Sequence, residues 1–145
     1  MNKTGYEQDF YAWLNEQAAH LRAKAWGALD IDNLVEEIES FGREQRHAIR
    51  SHLRILLIHL LKWAYQPERR SESWLASIGN ARAEIDGRLE MNPSLRRELP
   101  AFMSWAYPRA RQAAADETGL PKTTFPETCP WGIDQLQAPD FWPET

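Results

Sequence analysis

The sequence predicts an all-α protein, an elongated up-down bundle of four main helices with a proline-rich C-terminal segment packed across it. Apolar residues recur three and four positions apart along most of the chain, which is the period of one helix face. Glycine is scarce inside these periodic segments, and the alternation that is typical of a strand is absent. A chain of 145 residues has the length of one domain, so we expect a single domain over residues 1–145.

The second periodic segment predicts the longest helix. It begins at Asp30 or Asp32, whose carboxylates can accept hydrogen bonds from the free amides of a first turn. It ends near Tyr65, because Pro67 disfavours the helical conformation of the residue before it. Such a helix would reach ~50 Å, which exceeds the ~38 Å diameter expected of a compact chain of this size. The domain is therefore elongated, or the helix kinks around residues 40–42.

One apolar stripe follows this second helix along its whole length. In the last three turns Leu57, Ile58 and Leu61 add apolar side chains to the opposite face. Because a helix that is apolar all round lies at the centre of a fold, we expect this half to be enclosed by the other segments or by another chain. The stripe consists of Leu34, Ile38, Phe41, Ile49, Leu53, Leu56, Leu60 and Trp63.

The other three periodic segments are shorter. We expect a first helix from Tyr6 to Ala25, a third from Ser71 to Glu90 and a fourth from Pro93 to Gly119. The fourth contains Pro100 and Pro108, each of which removes an amide donor and clashes with the preceding turn. Kinks or a short non-helical interruption are therefore expected in the fourth segment.

Residues 120–145 differ in composition from the rest of the chain, with five prolines and little periodicity. One helical turn is expected near Ile133–Gln137. The segment is too apolar for a disordered tail, so it should pack over the bundle formed by residues 6–119. Tryptophans on the helical stripes are expected mostly in the core, and one left exposed would indicate a protein interface. Those on stripes are Trp13, Trp63, Trp74 and Trp105.

Composition excludes several classes of protein. No apolar run approaches the ~20 residues that span a bilayer, so an integral membrane protein is not expected. The formal net charge of −4 argues against nonspecific nucleic-acid binding. Cys129 is the single cysteine and cannot form an internal disulfide, and the N-terminus resembles no export leader. These observations favour a cytoplasmic location, with Cys129 as a buried structural thiol.

Two histidines offer the most specific chemistry. His52 and His59 are seven residues apart, so on a helix they project from the same apolar face. They could ligate zinc or iron if a carboxylate such as Glu37 or Glu44, or the imidazole of His20, completed the site. Helical metal pairs usually stand three or four residues apart, and core histidines that hydrogen-bond to neighbouring groups explain the same positions more simply.

A second candidate is an anion site at the start of the third helix. Free amides near Ser71, together with Arg69 and Arg70 before them, could hold a phosphate or an RNA backbone. A row of arginines also follows one side of the second helix, which is a common arrangement on a solvated face. The row consists of Arg43, Arg46, Arg50 and Arg54.

Several strings of residues resemble a bacterial family known only as domain of unknown function twenty-nine. They are DFYAW from Asp9, NLVEEIESFGREQ from Asn33, HLLKWAYQPERR from His59, and ETGLP followed by FPETCPW. The resemblance extends from Tyr6 to the final DFWP. It implies an all-helical, bundle-like domain, and it implies no reaction, ligand or catalytic residue. Pro100 and Pro108 depart from the continuous fourth helix of that family.

No nucleotide loop, catalytic triad, zinc signature or cofactor motif is present in the sequence, and no cofactor is expected. The sequence therefore favours a noncatalytic interaction or regulatory module that binds a protein partner or a second copy of itself as a homodimer. One alternative is a metal-dependent enzyme using His52 and His59. A further alternative is a phosphate or RNA binder using Arg69 and Arg70.

Overall fold

The computed structural model describes residues 3–144, with side chains described from Gly5 onward. Over this range the chain forms helices joined by turns and short 3-10 segments, without a β-strand, which confirms the predicted all-α bundle. It divides into two compact units, Met1–Glu44 and Gln45–Thr145. The helices are α1 (Lys3–Gln8), α2 (Phe10–Arg22), α3 (Ile31–Tyr65), α4 (Glu72–Met91), α5 (Leu99–Thr118) and α6 (Ile133–Gln137).

The first predicted helix is divided in two by Asp9. The Asp9 carboxylate accepts a hydrogen bond from the amide of Ala12 at 3.0 Å, so it caps a new helix rather than continuing the old one. Helix α2 also ends at Arg22, three residues earlier than expected, and a 3-10 segment follows at Trp26–Ala28. The prediction of one continuous helix from Tyr6 to Ala25 is therefore wrong.

Within the first unit, α2 is held against the start of α3 by two buried side chains, Trp13 and Gln17. The Trp13 indole donates to the Asp30 carboxylate at 3.0 Å, and the Gln17 carbonyl accepts from the Asp30 amide at 2.8 Å. The Tyr6 hydroxyl donates to the Glu37 carboxylate. Because Tyr6 meets Glu37, whereas the later residues Trp13 and Gln17 meet the earlier Asp30, α1 and α2 run antiparallel to the start of α3.

Helix α3 extends over 35 residues without a break, which confirms both predicted ends. In the second unit its side chains are buried on several faces, among them Ile49, Leu57 and Leu61. They form one core cluster with residues of α4 and α5, so this half of α3 is enclosed by the other segments, as predicted. Among the described residues, none of the helices has both the length and the apolar character needed to cross a bilayer.

Helix α4 follows the predicted pattern, with the Ser71 hydroxyl accepting a hydrogen bond from the Trp74 amide as its N-cap. The fourth segment differs at its start, because Pro93–Glu98 form a 3-10 segment before α5 begins. Pro100 lies in the first turn of α5, where its missing amide donor costs little. Pro108 lies inside α5 without interrupting it, so the interruption, one of the two alternatives predicted there, does not occur.

The C-terminal segment packs onto the core of the second unit, as predicted. Phe125 and Leu136 are almost fully buried, and helix α6 begins and ends as expected. The guanidinium of Arg82, on α4, donates to the carbonyl oxygens of Leu136, Pro139 and Phe141 at 3.0, 3.3 and 2.8 Å. A single buried cation on α4 therefore holds the last part of the described chain.

The tryptophans are less buried than the sequence suggested. Trp13 is in the core, but Trp63, Trp74 and Trp105 are half-buried. Each of these three carries a cation over its ring, at 4.8 Å for Arg70 on Trp63 and 5.1 Å for Lys62 on Trp74. Their exposed faces are thus covered by the stems and charges of basic side chains.

Candidate functional site

Four of the residues proposed as metal ligands lie in different surroundings. His52 and His59 are half-buried in the second unit, and the Nδ1 atom of His59 lies 2.9 Å from the carbonyl oxygen of Ile55. Glu37, in the first unit, accepts the Tyr6 hydroxyl, and Glu44 is exposed. The hydrogen bond to Glu37 raises the pKa of Tyr6 to about 12. Within the part of the chain that the structure describes, no three His, Cys, Asp or Glu side chains come close enough together to hold a metal ion.

Two of the residues proposed for anion binding are engaged in local structure. The Arg70 guanidinium lies 4.8 Å from the centre of the Trp63 ring, and its Nε atom donates to the Trp63 carbonyl oxygen at 2.9 Å. The Ser71 hydroxyl serves as the N-cap of α4. Arg69 is exposed on the turn before it. The side chains of Arg70 and Ser71 thus stabilise the turn into α4.

The arginine row on α3 is also largely paired. Arg43 bonds to Glu36 at 2.7 Å, and Arg46 bonds to Glu98 at 3.1 Å. Arg50 lies 4.7 Å from the centre of the Trp105 ring, with Arg109 at 4.4 Å from the same ring. Three of the four arginines of the row are thus engaged by neighbouring side chains.

Cys129 lies in a groove of about 300 Å³ beside Tyr107. Its thiol is half-buried and lies 3.4 Å from the Trp131 carbonyl oxygen. Burial raises the pKa of the Cys129 thiol, so it stays protonated near neutral pH and is a poor nucleophile. The thiol is therefore half-buried, whereas the sequence led us to expect a buried one.

The feature that sequence reasoning did not locate is an exposed apolar surface on the first unit. Among the residues that the structure describes, nine of the twelve large hydrophobic side chains with high exposure lie between Phe10 and Phe41. On α3, Ile38 is 68% and Phe41 is 65% exposed, although their counterparts further along the same stripe are buried. We call the residues Ile31, Val35, Ile38 and Phe41 the open stripe.

Helix α2 and the turn after it carry the remaining five exposed hydrophobic residues of the first unit. Trp26, in the 3-10 segment between α2 and α3, is 60% exposed. An exposed tryptophan is unusual away from a binding surface, because aromatic side chains are favoured as interface anchors. The other four are Phe10, Tyr11, Leu14 and Leu21.

A family model for a domain of unknown function, DUF29, matches residues 5–142. The chain belongs to the DUF29 family. The match covers nearly the whole chain, which confirms the resemblance seen in the sequence strings. Comparison with curated proteins and with solved structures found no match to this DUF29 chain.

Proposed function

We propose that this DUF29 protein is a noncatalytic interaction module that binds an amphipathic helix of a protein partner on the open stripe. The observation that supports it is the exposure of four large apolar side chains in successive turns of one helix. Monomeric soluble proteins expose single apolar residues freely, but clustered ones are typical of binding surfaces. Apolar residues spaced three and four apart are the pattern that a helical partner recognises.

The second half of α3 indicates what kind of partner fits. The open stripe continues along the same helix face as Ile49, Leu56 and Leu60, which are all buried. There the stripe packs into a core made with residues of α4 and α5. In the second unit, helices of the same chain therefore cover this face of α3. In the first unit, a helix of another protein would cover it.

The polar groups of the second unit support a noncatalytic role. Burial raises the pKa of the Cys129 thiol, and the side chains of Arg70 and Ser71 form hydrogen bonds in the turn before α4. A metal-dependent reaction at His52 and His59 has no supporting cluster of ligands among the described residues. We place the module in the cytoplasm, where a free thiol such as Cys129 remains reduced.

Crosslinking from the stripe itself tests the function. A photoreactive amino acid replaces Ile38 in the full chain, and a matched one replaces Met91, which is 74% exposed on α4. After irradiation in cells, the protein captured at position 38 is identified, purified and titrated against the unmodified chain. We expect capture at position 38 but not at 91, direct binding of the purified partner, and at least a tenfold loss of affinity in Ile38→Asp.

Three results would overturn the proposal in different ways. Equal capture at positions 38 and 91 would mean that the stripe has no special role. A captured partner whose purified form binds Ile38→Asp as tightly as the unmodified chain would locate recognition elsewhere. Crosslinking only to a second copy, with a concentration-dependent mass in sedimentation, would make the stripe a homodimer interface instead of a site for another protein.

A further inference from the structure

We infer that the helix bound by the open stripe is basic, an inference that rests on the proposed function and specifies its partner. Residues 1–44 contain nine Asp or Glu and four Lys or Arg. The remaining 101 residues contain twelve Asp or Glu and thirteen Lys or Arg, so they are close to neutral. The net negative charge of the protein therefore comes from the unit that carries the exposed apolar surface.

The acidic residues lie beside the open stripe itself. Asp32 and Glu39 stand three residues before and four residues after Val35, so they follow one edge of the stripe, and both are exposed. Over residues 31–44, α3 carries five acidic side chains and one basic one. That basic residue, Arg43, bonds to Glu36 and so adds little uncompensated positive charge near the stripe.

An apolar centre with an acidic edge selects for a particular partner. Leucine-like residues of the partner would pack on the apolar side chains, while its lysines or arginines would face Asp32 and Glu39. Charges at such a rim mainly steer association and suppress wrong partners. They are screened beyond ~8 Å at physiological salt, so binding should weaken as salt is added.

The same charges disfavour a second copy on this surface. An isologous dimer pairs each patch with itself, so both protomers would carry their acidic edges into one interface. Like charges placed across an interface oppose association and favour a partner of opposite sign. Both the apolar side chains and the acidic edge favour binding of a basic helix, whereas only the apolar side chains favour binding of a second copy.

Two designed peptides test the inference on the full chain. Both are 21-residue amphipathic helices with leucine at positions three and four apart, and they differ only in carrying lysine or glutamate on the polar face. Binding is measured by fluorescence anisotropy at low and physiological salt. We expect the lysine peptide to bind at least roughly tenfold more tightly than the glutamate peptide, with a difference that shrinks as salt rises.

Variants separate the charge from the apolar contact. The double variant Asp32→Lys, Glu39→Lys should reverse the preference between the two peptides, whereas Glu84→Lys, an exposed change on α4, should leave it unaltered. Ile38→Asp should weaken binding of the lysine peptide at least roughly tenfold.

The outcomes distinguish the two proposals. Equal binding of both peptides, abolished by Ile38→Asp, would overturn the basic partner and retain the interaction module. Binding of the lysine peptide that Ile38→Asp leaves unchanged would also overturn the inference, because attachment would then be through charge alone. If neither peptide binds and the captured partner also fails to bind when purified, both proposals are wrong.

Discussion

The two halves of α3 carry one apolar stripe in two different surroundings. Beyond Gln45 most of the stripe is buried among α4, α5 and the C-terminal segment, and Ile49 has no exposed surface. Before that point α1 and α2 contact a neighbouring face of α3 and leave Ile38 and Phe41 exposed. The same sequence pattern therefore stabilises the fold in one half and is exposed in the other, where we propose that it binds a partner.

The largest expected effect compares two isoleucines of α3. Ile49→Ala creates a cavity in the core of the second unit and should lower the free energy of unfolding by ~2–5 kcal/mol. Ile38→Ala removes an exposed side chain and should change it by less than ~0.5 kcal/mol. Urea unfolding followed by circular dichroism measures both. If Ile38→Ala lowered the free energy of unfolding as much as Ile49→Ala, the open stripe would be covered in solution. The two halves of α3 would then not differ in burial.

A somewhat smaller effect is expected where the C-terminal segment closes the second unit. Arg82→Ala leaves three carbonyl oxygens without their donor and should cost about 2–4 kcal/mol of unfolding free energy. It should also make residues after Leu136 sensitive to protease. Arg82→Lys keeps the charge but lacks the planar fork, so it should recover only part of the loss.

The exposed Arg97→Ala provides the control for this position, with a change within about 0.5 kcal/mol. Protease resistance in Arg82→Ala equal to that of the unmodified chain would show that apolar packing alone closes the second unit.

The smallest effect concerns Tyr107, whose hydroxyl donates to the Pro126 carbonyl oxygen at 2.6 Å. The pKa of Tyr107 is raised from 10.0 to about 12, mainly by burial and secondly by the nearby Cys129. The pKa of Tyr107 is higher in the folded state than in the unfolded state, so the neutral hydroxyl stabilises the fold fully below pH 10. This stabilisation is lost as the pH rises through about 12. Tyr107→Phe should cost ~1 kcal/mol at neutral pH.

Ultraviolet absorbance of tyrosinate checks the titration, since Tyr107→Phe should remove one late-titrating signal near pH 12. If the variant instead loses a signal near pH 10, the Tyr107 hydroxyl is exposed to water in the folded protein, and water enters the second unit.

Much of the fold follows from the sequence because its signals are local. The ends of α3 and the start of α4 are specified by capping or terminating residues, such as Ser71 and Pro67, and both predictions are confirmed. The break at Asp9 also had a signal, because aspartate is a strong N-cap, but the apolar period continues across it and hides the interruption.

The candidate site was harder to predict, for a physical reason. Periodicity shows that a helix face is apolar, but it does not show whether another element covers that face. Leu34 through Trp63 read as one stripe, and only tertiary packing separates Ile38 from Ile49. The histidine hypothesis had the same weakness, since placing His52 and His59 on one face says nothing about the ligands opposite them.

Helix α3 contributes residues to both units, and this affects how the binding surface of such proteins can change in evolution. The turns of α3 after Gln45 are held by the core of the second unit, whatever residues precede them. Under the proposed function, substitutions at Ile31, Val35, Ile38 or Phe41 would therefore alter recognition while the second unit stays folded. Relatives that share this fold would then be able to bind different partners while remaining folded.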